Sequence, residues 1–345
     1  IAPHGPHQYA LTWGAQNFRA ALARKHEHFS GMKVDPNKEI VVTCGSTEAM
    51  MASMLTVCNP GDKVVVFSPF YENYGADAIL SGAQPIYVPL NPPEFNFDAN
   101  VLEDAMKQDG VKALILCNPS NPCGKVFTLE ELKIIADLAI KYDLYVITDE
   151  VYEHIVYAPN KHIYMQALEG MRERTIVCNS LSKTYSITGW RLGYVIANPQ
   201  IIDRVKKVHD FLTVGAAAPL MEAAVVGLEF GDGYYDELAA HYAHMKEVFV
   251  GGLKKLGLKY TDPQGAYYVL VDVSEFGVKD DVKFCEWMTQ FVGVAAVPGS
   301  SFFREDVHNL VRFHFAKQDD TLNEAIKRLA TLKEKVMNAK NVDWR

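Results

Sequence analysis

The hydrophobic positions of the chain follow two different spacings over its first two thirds. Short runs rich in β-branched residues predict five strands, at 39–44, 63–68, 112–117, 144–148 and 174–179. Between them, apolar residues recur every three or four positions and predict helices that include 47–57 and 129–141. Strands that alternate with helices in this way are typical of an α/β fold with a mostly parallel sheet.

The pattern changes after Asn198, where helical spacing takes over. A long helix is predicted at about 232–256, followed by strands near 266–271 and 311–315 and by a closing amphipathic helix at 321–337. No internal repeat or linker-like tract interrupts the sequence. The long helix therefore predicts the start of a second, smaller domain.

The charge balance and the cysteine usage narrow the class of protein. The 345 residues include 34 Lys and Arg against 42 Asp and Glu, a net charge of −8, which disfavours nucleic acid and anionic lipid as partners. Six cysteines without a CxxC pair, and no apolar run of about 20 residues, favour a protein of the reducing cytoplasm. His241 and His244 share a predicted helix face, but no third ligand has suitable spacing, so no metal site is expected.

Unusual residues follow each of the five predicted strands. In an open parallel sheet, ligands bind beyond the carboxyl ends of the strands, where loops and helix N-termini converge. The segments found there are polar, glycine-rich or aromatic: GSTE from position 45, PFY from 69, NPSNPCG from 118, DE from 149 and SLSK from 180. The sequence therefore predicts a ligand site at this edge of the sheet.

Two of these segments have both a structural and a functional interpretation. Gly45, Ser46 and Thr47 open a predicted helix, so their free N–H groups and hydroxyls can bind an anion, although the same residues also form an ordinary helix cap. Asn121 lies between two prolines and a glycine, which by themselves indicate only a rigid turn.

Three charged residues complete the candidates. Asp149 ends an apolar strand, where a buried carboxylate needs a cationic or hydrogen-bonding partner, unless it serves as a helix cap. Lys183 lies in a serine-rich loop, where desolvation can make a lysine a nucleophilic amine, whereas a solvated lysine has no such role. Arg191, eight residues later, can bind phosphate or carboxylate through two parallel hydrogen bonds.

Six segments in chain order resemble the class I/II aminotransferases, which are fold-type I pyridoxal-phosphate enzymes. The segments are TCGSTEA, PFYENY, NPSNPCGKV, ITDEVYEH, SLSKTYSITGWRLGY and VRFHFA. The resemblance implies a large cofactor domain over 13–235, with a mostly parallel sheet flanked by helices, and a smaller α+β C-terminal domain over 236–345. Residues 1–12 are expected to form an N-terminal segment, part of an arm that covers the substrate in this family.

The resemblance also implies the role of individual residues toward pyridoxal 5′-phosphate. Lys183 is expected to form the Schiff base, and an ionised Asp149 to keep the pyridine nitrogen protonated. Tyr152 and Asn121 are expected to hydrogen-bond the phenolic oxygen of the cofactor, and Tyr71 to stack on its ring. The residues expected at the phosphate are Gly45, Ser46, Thr47, Ser180, Ser182 and Arg191, together with Tyr9 from the neighbouring subunit of a homodimer.

The implied reaction is a ping-pong transfer of an amino group from an L-amino acid to a 2-oxo acid such as 2-oxoglutarate. Arg312, with Asn121, is expected to bind the α-carboxylate of the substrate. Four aromatic residues that the sequence places near the site suggest an aromatic, methionine-like or broad range of donors: Trp13, Tyr71, Phe302 and Phe303. A β-elimination (C–S) lyase and an aspartate-type aminotransferase remain open as alternatives.

Two features depart from simple agreement with this family. Cys123 stands where the family commonly has threonine, and the printed sequence begins at Ile1 without the glycine-containing arm that usually covers the substrate.

SLSK also matches the Ser-x-x-Lys signature of serine β-lactamases, with Ser180 as the nucleophile, but the companion motifs Ser-Asp-Asn and Lys-Thr-Gly do not occur. The aminotransferase interpretation is therefore favoured.

Overall fold

The computed structural model describes residues 7–339 and 342–345, which form two β-sheets surrounded by helices. The strands of the larger sheet are β1 (Ile40–Thr43), β2 (Lys63–Ser68), β3 (Gln84–Pro89), β4 (Val111–Cys117), β5 (Tyr145–Asp149), β6 (Thr175–Ser180) and β7 (Gly193–Ile196). Their order is β1-β7-β6-β5-β4-β2-β3. β7 is antiparallel to β1 and β6, and the other neighbours are parallel.

The second sheet is smaller and antiparallel. Its strands are β8 (Lys259–Tyr260), β9 (Tyr268–Asp272), β10 (Val297–Pro298) and β11 (Leu310–His314), in the order β10-β11-β9-β8. The α-helices are α1 (Gln16–Ser30), α2 (Gly45–Val57), α3 (Asn73–Leu80), α4 (Ala99–Met106), α5 (Leu129–Lys141), α6 (Pro199–Leu212), α7 (Ala218–Leu228), α8 (Asp232–Lys255), α9 (Asp281–Trp287), α10 (Asp319–Leu329) and α11 (Leu332–Asn338).

Helices cover both faces of the larger sheet because its strands are apolar on both sides. Alternate residues of β2 illustrate this arrangement: Val64 and Val66 pack in one core with α2 and α6, while Val65 packs in another with α4 and α5. All three side chains are fully buried. Strands buried on both faces read as continuous hydrophobic runs. The resulting layers leave the carboxyl ends of the parallel strands as the open edge.

Most of the predicted elements appear in the structure, with some differences. The structure adds strands β3, β7, β8 and β10, which the sequence did not reveal. The helix predicted at 321–337 is interrupted between Leu329 and Leu332, so α10 and α11 are separate. The long helix predicted at 232–256 is α8, and the second sheet follows it in the chain. The division at 235 remains a prediction, and residues 1–6 of the predicted segment 1–12 lie outside the described residues.

Membrane insertion has no support from the described helices. Within residues 7–339 and 342–345, none combines the length and the apolar character that a bilayer crossing needs.

Candidate active site

A cavity of about 200 Å³ lies at the carboxyl-terminal edge of the larger sheet. It is formed where the segments after β1, β2, β4, β5 and β6 converge, as the strand-end argument predicts. Ten of the residues predicted for the site line it: Ser46, Thr47, Tyr71, Asn121, Asp149, Tyr152, Ser180, Ser182, Lys183 and Arg191.

One end of the cavity is a cradle of hydrogen-bond donors. Ser46 and Thr47 lie in the first turn of α2, where backbone N–H groups have no partner within the helix. Arg191, in a left-handed backbone conformation, lies against Gly45 so closely that a Cβ at position 45 would collide with its guanidinium. Free N–H groups, hydroxyls and a guanidinium at a helix N-terminus constitute an anion site.

Asp149 is buried at the wall of the same cavity. One carboxylate oxygen accepts a hydrogen bond of 2.7 Å from the Tyr74 hydroxyl, and the other accepts one of 3.3 Å from the Val151 N–H. Burial raises the pKa of Asp149 above its ordinary value, while the Tyr74 hydroxyl and the nearby Lys183 oppose that rise. The family resemblance implies an ionised carboxylate here, and these surroundings make its ionisation costly without a further cation.

Lys183 extends into a group of aromatic rings. Its Nζ lies 6.0 Å from the ring centre of Tyr152 and 5.8 Å from that of Tyr267. The Tyr152 hydroxyl lies 3.0 Å from the Tyr268 hydroxyl, and burial raises the pKa of Tyr152 well above its ordinary value. Tyr152 is therefore protonated at neutral pH and can donate a hydrogen bond into the cavity.

Arg312 lies next to the cavity and is held on three sides. Its Nη1 donates a hydrogen bond of 2.8 Å to the Asn121 side-chain oxygen. Its guanidinium is placed between two aromatic rings, with centres 4.4 Å away in Tyr268 and 4.3 Å away in Phe302. These contacts fix the plane of the guanidinium, which preorganises it to bind a carboxylate through two hydrogen bonds.

Three predicted site residues lie outside the cavity lining: Arg312, which lies next to it, Gly45 and Tyr9. Gly45 is behind Arg191, and Tyr9 is 86% exposed. Tyr9 borders a separate surface groove of about 820 Å³ with residues of α1 and α7, and so does not reach this chain's own cavity.

The four aromatic residues expected near the site are only partly brought together. Tyr71 lines the cavity, and Phe302 lies behind Arg312. Phe303 is buried in the core beneath α4 and α5, and Trp13 packs against Arg19 and Lys206. Phe303 and Trp13 therefore do not line the cavity, contrary to the expectation of an aromatic pocket, because an apolar residue near a motif is more often part of the core.

Sequence reasoning missed several residues of the cavity. Tyr74 and Tyr268 are the most important, because one donates to Asp149 and the other contacts both Tyr152 and Arg312. Tyr74 follows Tyr71 by three positions in the same PFYENY segment, and the two rings meet edge to face with centres 5.8 Å apart. Cys117, Val151 and Thr188 also line the cavity.

Comparison with known proteins gives a consistent result. The family model of aminotransferase class I and II matches residues 2–329. Among curated relatives, a probable N-succinyldiaminopimelate aminotransferase of Mycobacterium tuberculosis is 36% identical, over 96% of this chain and 86% of its own length. The methionine aminotransferase of Escherichia coli is 35% identical over 95% and 85%, and the human kynurenine–oxoglutarate transaminase 3 is 34% identical over 92% and 76%.

Solved structures show the same relationship in three dimensions. The N-succinyldiaminopimelate aminotransferase of Mycobacterium tuberculosis superposes with a TM-score of 0.92 at 35% identity, covering 96% of this chain and 87% of that one. Escherichia coli YbdL, identified with a methionine aminotransferase function, gives 0.92 at 34% identity with the same coverage. With the fold, the family model and these relatives in agreement, the chain belongs to the class I and II aminotransferases and is an enzyme of the aminotransferase class.

Proposed function

We propose that the chain is a pyridoxal-phosphate aminotransferase that moves the amino group of an aromatic, methionine-like or broad range of L-amino acids to a 2-oxo acid such as 2-oxoglutarate. One observation carries the proposal. A lysine amine, a buried carboxylate and an anion cradle line a single cavity of about 200 Å³. An aldehyde, a basic ring nitrogen and a phosphate on one small molecule match these three groups.

The residues present fit this cofactor. The cradle formed by Ser46, Thr47 and Arg191 suits a phosphate, with Ser180 and Ser182 as further hydroxyl donors. Gly45 suits it as well, since any side chain at that position would displace the Arg191 guanidinium. Asp149, whose pKa is raised by burial, gains the cation that it needs if a protonated ring nitrogen lies beside it.

The bound cofactor supplies an electron sink that makes the Cα proton of the amino acid acidic. The protein supplies the proton transfer. Lys183 would hold the cofactor through its amine and, once released by the incoming amino group, would take the Cα proton as a general base. Tyr152 and Asn121 would donate to the phenolic oxygen, and Tyr71 would pack on the ring.

Substrate recognition is assigned to Arg312. Its guanidinium would bind the α-carboxylate of each amino acid and 2-oxo acid in turn, since its plane is already fixed by Tyr268, Phe302 and Asn121. The named activities of the relatives toward methionine and kynurenine agree with a donor range of thioether and aromatic amino acids.

A homodimer with shared active sites is part of the proposal. Tyr9 is 86% exposed and lies away from its own chain's cavity, which agrees with a role at the phosphate of a second copy. Apolar side chains are also exposed beside Tyr9 in the sequence and around the end of α6. Their exposed fractions are 50% for Leu11, 94% for Phe211 and 46% for Val214. We expect Tyr9→Phe to weaken cofactor binding, and we expect the variant to have the same molecular mass in solution as the wild-type dimer.

A screen of amino donors against several 2-oxo acids tests the proposed reaction. We expect the new amino acid to form in proportion to the donor consumed, and Lys183→Ala to abolish the reaction while keeping its folded circular dichroism spectrum. Cystathionine that releases ammonia and pyruvate without any 2-oxo acid would instead indicate a β-elimination lyase. Preference for aspartate over methionine and phenylalanine would overturn the proposed donor range.

A further inference from the structure

A buried ion pair lies directly behind the phosphate cradle, outside the cavity lining. His209 on α6 is fully buried, and its Nδ1 lies 2.7 Å from a carboxylate oxygen of Glu48 on α2. Its Nε2 lies 2.8 Å from the backbone oxygen of Thr12. Thus a single imidazole joins α6, the helix that begins with the cradle, and the N-terminal segment that carries Tyr9.

The partners of His209 determine its charge. A backbone carbonyl can only accept a hydrogen bond, and an ionised carboxylate can only accept one. The Thr213 hydroxyl and the Cys44 N–H also donate hydrogen bonds to Glu48, and together with His209 they stabilise its carboxylate and lower its pKa, so Glu48 is ionised in this setting. Both ring nitrogens of His209 must therefore donate, and the side chain is an imidazolium.

The surrounding groups agree with this charge state. Burial opposes the ionisation of Glu48, yet hydrogen bonds from His209 and Cys44 outweigh it and lower the pKa of that carboxyl. Burial likewise disfavours the imidazolium, but the Glu48 carboxylate raises the pKa of His209 above its ordinary value. The other titratable groups that bear on the pair are Asp210 on α6, which favours the imidazolium, and the half-buried thiol of Cys44. None of them replaces Glu48 as the partner of the imidazolium.

The position of Glu48 links the pair to the cradle. Its second carboxylate oxygen accepts the Cys44 N–H at 2.5 Å, which anchors the residue that precedes α2. This contact fixes the orientation of the first turn, where Ser46 and Thr47 direct their groups into the cavity. A lone carboxylate so near the helix N-terminus would repel an anion, and the imidazolium cancels that repulsion.

We propose that His209 is a positioning residue that, paired with Glu48, orients and electrostatically balances the cradle for a phosphate and ties it to the segment that carries Tyr9. The inference rests on the proposed function, since it concerns the phosphate of the same cofactor. It adds a requirement that the cavity residues alone do not suggest: phosphate affinity depends on a charged histidine that never contacts the ligand.

The test compares two ligands on the whole chain, pyridoxal 5′-phosphate and pyridoxal, which differ only in the phosphate. We expect His209→Gln, which leaves the Glu48 carboxylate without its cation, to weaken binding of pyridoxal 5′-phosphate by about tenfold, the size of a buried charge effect at a helix terminus, and to leave pyridoxal binding unchanged. Glu48→Gln removes that carboxylate and is expected to weaken binding of pyridoxal 5′-phosphate less than His209→Gln does. The matched control is His244→Gln, which removes an exposed histidine that pairs with Asp319 at 2.9 Å and lies outside the site.

Equal loss of affinity for both ligands would overturn the proposal, because a merely structural role weakens the whole site. Unchanged affinity of His209→Gln for both ligands would overturn it as well. If His209→Gln does not fold, nitrogen-15 NMR of the wild-type histidines at neutral pH decides the question: two protonated ring nitrogens support the proposal, and a neutral imidazole contradicts it. Failure of the proposed function is distinguishable, since wild-type protein would then fail to prefer pyridoxal 5′-phosphate over pyridoxal.

Discussion

Gly45→Ala separates the steric demand of the phosphate cradle from the backbone cost of losing a glycine. Gly45 has φ +82, and a Cβ there would lie 2.7 Å from Cζ and 3.2 Å from Nη1 of Arg191. The guanidinium is the far end of a flexible side chain, so it is expected to move away rather than destabilise the fold. The cost to stability is then the left-handed backbone conformation alone, roughly 1–2 kcal/mol.

The cost to cofactor binding should be larger. Displacing Arg191 removes at least one charge-assisted hydrogen bond to the phosphate, worth about 1.5–3 kcal/mol, which corresponds to a rise in the dissociation constant of roughly 10- to 100-fold. The matched control is Gly61→Ala, because Gly61 has φ +92 and no atom lies within 4 Å of the position that a Cβ would take there. Both variants should therefore lose similar thermal stability.

The assay measures the dissociation constant of pyridoxal 5′-phosphate by equilibrium dialysis, alongside the thermal midpoint of each variant. We expect weakened binding in Gly45→Ala only. If Gly61→Ala weakens binding equally, the effect comes from general destabilisation, and if Gly45→Ala binds like wild type, Arg191 does not hold the phosphate. Either result would refute the steric reasoning.

Three further predictions concern other parts of the site. Asp149→Asn should raise the thermal midpoint of the cofactor-free chain at neutral pH, because burial raises the pKa of Asp149 and its ionisation therefore costs stability as pH rises. The same variant should slow transamination by roughly 10²–10³-fold. A lower thermal midpoint would contradict the prediction for stability. Arg312→Lys should lower kcat/KM about 10- to 100-fold, mainly through KM, since lysine lacks the planar fork. The Glu48–His209 pair should stabilise the fold fully between pH 4.5 and pH 6.5, the ordinary pKa values of the two groups. This contribution is lost at lower pH as Glu48 becomes protonated and at higher pH as the imidazolium loses its proton. A plot of thermal midpoint against pH should therefore be flatter for the double variant with Glu48→Gln and His209→Gln than for the wild type.

The strands that sequence analysis found share a physical property that the missed ones lack. β2 is a run of fully buried valines, whereas β3 lies at the sheet edge, contains Pro85 and Pro89, and is only half-buried. Proline and partial exposure are expected at an edge strand, and they remove the hydrophobic signal. β7 has only four residues, and the first two belong to the motif that the sequence analysis had already assigned to the site.

The site shows a similar division between local and long-range information. Lys183, Asp149 and Asn121 lie in motifs at strand ends, so topology brings them together without any knowledge of side-chain contacts. Tyr268 reaches Arg312 only because β9 pairs with β11 in the observed register, with Leu270 opposite Arg312. Register between distant strands depends on tertiary packing, which one sequence does not specify.

The buried pair behind the cradle was beyond sequence reasoning for the same reason. Glu48 and His209 are 161 positions apart, and each occupies an ordinary place on a helix. Only their packing shows that both nitrogens of His209 meet acceptors, which makes a common helical histidine an imidazolium.

Borohydride reduction of the purified protein in the presence of pyridoxal 5′-phosphate, followed by peptide mass analysis, tests the central claim most directly. The account predicts that the peptide containing Lys183 carries the phosphopyridoxyl group, that no other lysine is labelled to a comparable extent, and that Asp149→Ala shifts the absorbance of the bound cofactor before reduction. A Lys183 peptide of unchanged mass under these conditions would contradict it.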